Sequence, residues 1–204
     1  MDNNKAHWEN IYSSKQSNEV SWTQAVPEAS LALLHDINPA KNAAVIDVGG
    51  GDSTLADFLL KEGFTNITVL DISAAALNRA KARLNGDANS ITWIETDILE
   101  FIPGRCYDIW HDRAAFHFLT TTQEVEQYVK LAERSITPGG FAIIATFAEN
   151  GPEKCSGLIV KRYNAQQLAE VFGKGFTIIG SVYQQHVTPF NTQQRFLFSV
   201  FKKL

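Results

Sequence analysis

The chain has 204 residues, 45% of them hydrophobic and 20% charged, with a formal net charge of −4. That is length for one domain with a full core, and it excludes a disordered, collagen-like or disulfide-stapled chain. The negative balance, with no dense basic run beyond Lys202 and Lys203, argues against nucleic acid as a partner.

Residues 7–37, from HWENIY to LLHDI, read as two short helices joined by a polar loop. From residue 43 onward, β-branched runs alternate with helical patterns. The runs are AAVIDV (43–48), NITVLDI (66–72), ITWIE (91–95), YDIWH (107–111) and GFAIIATF (140–147). Leu55, Phe58 and Leu59 share a helix face, as do Leu77, Ala80 and Leu84. Val125, Tyr128, Val129, Ala132 and Ile136 make a longer stripe, opened by a Thr121–Glu124 capping box and closed by TPGG at 137–140. Asn164 with Gln167 opens a later helix carrying Leu168, Val171 and Phe172. Strand–helix alternation predicts crossover units and a parallel sheet with helices on both faces. GFTIIGSVYQQHV (175–187) and QRFLFSVF (194–201), separated by TPFNT, predict an antiparallel hairpin at the last edge.

Cys106 and Cys155 lie far apart, in no metal-ligand spacing, and read as reduced thiols; no metal is expected. The polar N-terminus does not have the pattern of a signal peptide, and no apolar run reaches membrane-span length. The Asn66-Ile67-Thr68 sequon reads as chance. A cytoplasmic protein with no membrane partner is the expectation.

VIDVGGGDSTL carries the chemistry. Gly49, Gly50 and Gly51 follow the first strand, where backbone without side chains lets a ligand come close. The dinucleotide fingerprint needs a third glycine at its sixth position, where Thr54 stands, and no Walker-type lysine follows. A tight strand–helix turn is the plain alternative. Asp71, 22 residues after Gly49, ends the next strand and can accept from both hydroxyls of a ribose; capping the following helix is its other reading. Asp97, after the third strand, can meet an adenine amino group, with Ile72 and Ile98 packing on the two ring faces. Asp47 can orient the loop amides and face a cationic group of a ligand through water.

Asp47, Gly49, Gly51, Asp71 and Asp97 at the ends of three successive strands resemble class I S-adenosylmethionine-dependent methyltransferases, over roughly residues 40–150. Ser53 replaces the last glycine of that family's Asp-x-Gly-x-Gly-x-Gly motif. The resemblance implies S-adenosyl-L-methionine as cofactor. It also implies an α/β, doubly wound, mostly parallel seven-stranded sheet with an antiparallel edge hairpin. The expected organisation is one methyltransferase domain over 1–204, with a helical lid at 1–40 and the catalytic core at 41–204. A nicotinamide-dependent oxidoreductase shares the sheet but needs the missing glycine and a hydride-transfer constellation.

In this family the fourth strand's end faces the transferring methyl. Here it reads YDIWHDRAAFHFLT, without the Asn/Asp-Pro-Pro-Tyr/Phe motif of base and glutamine methylation. His111, Asp112 and Arg113 are the expected transfer-site residues: His111 as a base tuned near neutrality, Asp112 as base or as holder of Arg113, Arg113 as a binder of an acidic acceptor. An Asp112–Arg113 structural ion pair and a packed His117 are the plain alternatives. The Asp-Arg-Ala stretch, the Trp8…Trp22 pairing and GPEK…RYNAQQLAEVFG are similar to thiopurine and related thiol methyltransferases, which implies a small, soft nucleophile under an N-terminal lid. AHWENIY and GFTNITVLDIS are similar to elongation-factor lysine methyltransferases, which carry Asp-Lys-Gly-Thr-Phe-Asp where this chain has His111–His117. Over its whole length the chain resembles bacterial class I methyltransferases with no assigned substrate. Trp8, Tyr12 and Trp22 can cover the donor, since aromatic faces suit a sulfonium cation, or can simply anchor the first helix. Cys155 reads as an incidental loop cysteine, and His186 as a residue near the acceptor mouth. A small-molecule methyltransferase is the favoured reading; a protein lysine methyltransferase and a non-catalytic donor-binding regulator are the alternatives.

Overall fold

Short β-branched runs and amphipathic stripes fold, in a computed structural model describing residues 2–204, into one seven-stranded sheet with helices on both faces. In chain order the elements are α1 (Asp2–Ser14), α2 (Glu28–Ile37), β1 (Val45–Val48), α3 (Leu55–Lys61), β2 (Ile67–Asp71), α4 (Ala74–Leu84), β3 (Ile91–Glu95) and β4 (Tyr107–Arg113). There follow α5 (Thr122–Ser135), β5 (Ile136–Phe147), a two-residue hairpin of β6 (Lys154–Cys155) and β7 (Leu158–Ile159), α6 (Ala165–Phe172), β8 (Phe176–Val187) and β9 (Gln193–Lys203).

The strand order is β3-β2-β1-β4-β5-β9-β8. β1 to β5 run parallel, and β9 is antiparallel to both β5 and β8. The chain winds outward from β1 to β3 and then returns to β4 beside β1. That reversal opens a crevice at the carboxyl ends of β1 and β4. The expected hairpin is present, with the reversed strand next to last and β8 at the rim.

Alternation along each strand sorts side chains between two cores. Val45, Ile109, Ile143 and Ala145 pack against α2, α3 and α4 through Leu34, Leu55, Leu59 and Leu77. Ile46, Val48, Trp110 and Ile144 pack against α5 and α6 through Val125, Tyr128, Leu168 and Phe172. The expected caps form. Glu124 N–H donates to Thr121 Oγ1 at 3.2 Å while Thr121 N–H donates to Glu124 Oε2 at 3.0 Å. Asn164 and Gln167 exchange the same pair of bonds.

Two boundaries differ from the sequence reading. TPGG lies within β5, because Ile136 already pairs with Tyr107 before a register slip brings Phe141 opposite Ile109. β4 continues two residues beyond His111, to Arg113. Among the described residues no helix is long and apolar enough to cross a membrane.

Replacing Thr121 by Ala removes the hydroxyl half of the α5 box. The expected loss is about 1 kcal/mol, read as a lower urea midpoint at unchanged slope.

Candidate functional site

A cavity of about 490 Å³ occupies the crevice at the carboxyl ends of β1 to β4. Gly49 and Gly50 form its floor. Gly49 has φ +65°, and a Cβ there would lie 2.7 Å from Ala115 Cβ on the loop leaving β4. A Cβ on Gly50 would lie 2.7 Å from Asp47 Oδ2. The loop is therefore glycine because it passes between the β4 exit and a buried carboxylate. Gly51 is not among the lining residues; it turns onto Asp71, whose Oδ2 is 2.8 Å from the position of a Gly51 Cβ.

Asp71, at the end of β2, lines the cavity and is 6% exposed. Its Oδ1 accepts from Ser73 N–H at 2.8 Å. Ser73, not Asp71, is the cap of α4, its hydroxyl accepting from Ala76 N–H. Burial pushes the Asp71 carboxyl up to about 7, against the pull of the Ser73 N–H. Asp97 and Ile98 lie in the turn after β3, with Asp97 Oδ1 accepting from Leu99 N–H at 2.9 Å. Ile72 lines the same wall.

Asp47, on β1, is buried and faces the α2 side. Its Oδ1 is 2.7 Å from His111 Nδ1, and His111 Nε2 is 2.8 Å from Ser30 Oγ on α2. Asp47 Oδ2 has no partner. His111 lines the cavity, and both of its ring nitrogens are engaged within the protein. Ser30 is itself 1% exposed and does not line the cavity, so the Ser–His–Asp order is a structural chain and not a nucleophile.

Asp112 is turned the other way. It is completely buried on the α5 side, accepts from Tyr128 O–H at 2.5 Å and from the N–H groups of Ala115 and Phe116, and does not line the cavity. Burial lifts it to about 6 against those donors. The expected transfer-site trio is therefore split: His111 and Arg113 on one face of β4, Asp112 on the other. The alternative of an Asp112–Arg113 ion pair fails for the same reason.

Arg113 lines the cavity, with Nη1 donating to the Trp22 carbonyl at 3.0 Å and Cζ 4.7 Å from the Phe196 ring centre. Cys155 lies on the same wall. Ala114, next in the chain, has φ +74°. His117 is buried; Phe147 N–H donates to its Nδ1, and burial with the Arg113 charge pushes it down to about 3. His186 donates to the Ser21 carbonyl at 2.6 Å.

The N-terminal segment forms one wall of the cavity. Trp8, Tyr12 and Trp22 line it and pack edge-on, with Trp8–Phe118 and Trp8–Trp22 centroids 5.0 and 5.7 Å apart. Glu9 caps α4 from outside, accepting from Ser73 O–H at 2.8 Å and from Ala75 N–H. Ser17 O–H donates to Asp52 at 2.6 Å and Thr54 O–H to the Gln24 carbonyl at 3.2 Å. Ser30, Glu9 and Phe118 carry no sequence signal for these contacts, because their partners lie far away in the chain.

Comparison with known proteins finds similarity to methyltransferases. Residues 45–140 match the family model described as a methyltransferase domain. The chain is 23% identical over 165 residues to a ubiquinone biosynthesis O-methyltransferase of Rickettsia conorii, covering 76% of this chain and 56% of that protein. It is 26% identical over 149 residues to EEF1A lysine methyltransferase 2 of Danio rerio, covering 70% of this chain and 58% of that one. The chain thus spans little more than half the length of these relatives. In structure it is similar to the N-methyltransferase NodS from Bradyrhizobium japonicum in complex with S-adenosyl-L-homocysteine, with TM-score 0.75, 16% identity and 98% of each chain covered.

Asp112→Ala leaves the Tyr128 hydroxyl and two buried N–H groups without an acceptor. The expected loss is about 3 kcal/mol of stability in urea unfolding. A loss under about 1 kcal/mol, with methyl transfer abolished, would return Asp112 to the chemistry.

Proposed function

We propose that this chain, whose residues 45–140 form a methyltransferase domain of the class I, S-adenosylmethionine-dependent kind, methylates a small-molecule acceptor inside the closed crevice. The observation that carries the reading is the convergence of Asp47, Asp71, Asp97 and the glycine floor on one cavity roofed by Trp8, Tyr12 and Trp22.

The residues fit the donor. Asp71 would take the ribose hydroxyls, which need an acceptor there. Asp97 would take the adenine amino group, between Ile72 and Ile98. Asp47 lines the same cavity, and a carboxylate there suits the donor's ammonium group. Gly49 and Gly50 admit the methionine backbone, Gly51 keeps Asp71 in place, and the aromatic roof suits a sulfonium. When bound, the donor supplies an electrophilic methyl group.

The chain's own contribution is alignment and exclusion of water. His111 holds Asp47 and anchors Ser30, which places α2, so it acts by positioning. Asp112 braces the β4 exit loop from the far side. None of the groups expected to take a proton is free to do so. That favours an acceptor arriving without its proton, such as a thiolate or similar soft nucleophile. The N-terminal segment acts as the lid, fastened at Ser17, Ser21, Trp22 and Gln24. A roof tied at four points favours a small acceptor over a polypeptide. Two free cysteines, one of them buried, accord with a reducing, cytoplasmic setting.

Two measurements check this. In the unliganded protein, Asp71 sits near 7, so it is largely protonated at pH 6 and ionised at pH 8. Ribose hydroxyls donate to the carboxylate and favour its ionised form. Affinity for S-adenosylhomocysteine should therefore rise with pH up to about 7 and then level, with proton release at the acid end by calorimetry. Asp71→Asn should abolish that dependence, and Asp71→Ala should weaken binding about a hundredfold. Unchanged affinity in both variants removes Asp71 from the donor site. Second, radiolabelled donor incubated with protein and a size-fractionated cell lysate should label the small-molecule fraction. Label on a protein band instead would overturn the small-acceptor reading.

A further inference from the structure

The sheet has two edges, and the chain protects them unequally. β3, at one edge, is five residues long and ends in Glu95, which Lys5 of α1 reaches at 2.7 Å. Shortness and charge are ordinary protections of an edge strand. β8, at the other edge, pairs with β9 alone, so backbone N–H and C=O groups along its outer side have no strand to meet. It is twelve residues long and contains no Asp, Glu, Lys, Arg or Pro. Burial pushes His186 down, so it is neutral, and it is turned to the Ser21 carbonyl. Nine large hydrophobic side chains are exposed among the described residues. Ile179, Val182, Tyr183 and Val187 of these stand on β8, 40% to 56% exposed, and Phe190 sits on the turn beyond. Such clustering on one uncharged edge marks an interaction surface.

The stretch also carries two charges of opposite sign beside one ring. Tyr183 O–H donates to Glu149 Oε2 at 3.1 Å, and Arg195 Cζ lies 4.4 Å from the Tyr183 ring centre. Among the described residues neither Glu149 nor Arg195 forms an ion pair, with each other or with a third group. The register with β9 shifts between Ile178 and Gly180, and from Gly180 to Val187 it runs without interruption. That regular stretch is the part of the edge on which another strand could lie flat.

We propose that β8 is a self-association edge: two copies of this chain pair antiparallel through Gly180–His186, about a twofold axis at Tyr183. An axis normal to the sheet sets like faces together, so it passes through a residue and not between two. Tyr183 is the centre that uses the regular stretch up to the irregularity without crossing it. Val182 then lies opposite Gln184, and Ser181 opposite Gln185, with no like charges facing each other. The same axis carries the Arg195 of one copy toward the Glu149 of the other, so the two unpaired charges complement each other. An uncharged strip also suits a second copy, because a net charge of −4 otherwise keeps copies apart. Twofold pairing uses up the edge, so association stops at two. The ladder is about 24 Å long and buries roughly 500 Å² per partner, the low end for a specific interface, so the dimer is reversible, with Kd on the order of 10 µM.

The test is sedimentation velocity of the full chain from about 1 to about 300 µM, a range that brackets such a Kd. The wild-type protein should pass from monomer to dimer and go no further. Val182→Lys and Tyr183→Lys set like charges near the axis and should each weaken the dimer about tenfold or more, with the circular dichroism of the monomer unchanged. Glu149→Arg should weaken it too, and Glu149→Arg combined with Arg195→Glu should restore it, which a role confined to one copy's own fold would not produce. Hydrogen exchange on the wild-type protein gives a reading that needs no variant: amides within Gly180–His186 should gain protection as the concentration rises. It decides the matter should the lysine variants fail to fold. A wild-type chain that stays monomeric at about 300 µM overturns the proposal and leaves the edge to a strand of another protein. A dimer that both lysine variants leave unchanged overturns it as well, because the contact then lies elsewhere on the surface.

Discussion

Asp47 lies near the end of β1 at the sheet's reversal point, buried, with one carboxylate oxygen on His111 Nδ1 and the other enclosed without a partner. Much of the surrounding architecture follows from keeping that charge in place. His111 is parallel to it in register on β4, so the hydrogen bond runs straight across two neighbouring strands. The far ring nitrogen of His111 reaches Ser30, which ties α2 to the sheet. The following loop needs Gly50, because a Cβ would collide with the free oxygen. A buried carboxylate satisfied on one side only is expensive in an empty cavity and well suited to a cationic ligand.

The charge in the crevice is unevenly distributed. Asp47, Asp52, Asp71, Asp97, Glu100 and Glu124 line it, against the single guanidinium of Arg113. The acidic end lies over β1 to β3 and the guanidinium at the end of β4. Burial lifts Asp71 and lowers Arg113, each toward its neutral form. Both groups therefore hold back part of their interaction energy until a ligand of opposite character replaces the lost water. Such a cavity is polarised along its length before anything binds.

The features visible in the sequence were local ones. Strand runs, both capping boxes and the hairpin turn are set by residues within a few positions of each other, so period and cap chemistry reveal them. The acids at the ends of β1, β2 and β3 were visible because a doubly wound sheet puts every strand's carboxyl end on one rim. The Asp112 assignment failed for an identifiable reason. The run YDIWH places the end of the fourth strand at His111, which makes Asp112 and Arg113 loop residues free to cluster. β4 runs on through Arg113, and alternation then sends His111 and Arg113 to one face and Asp112 to the other. The Ser30–His111 bond joins residues far apart in the chain, and nothing short-range marks it. The β6–β7 hairpin is two residues per strand, too short to leave a periodic pattern.

Arg113 connects the N-terminal segment to the end of β4. Its Nη1 donates to the Trp22 carbonyl at 3.0 Å. His186 holds the neighbouring Ser21 carbonyl from β8, on the outermost strand of the sheet. Ser21, Trp22 and Gln24 are thus held through their carbonyls and Ser17 through its hydroxyl, which leaves the Trp22 side chain to line the cavity. Arg113 and His186 thus fix two successive carbonyls of the N-terminal segment from β4 and β8.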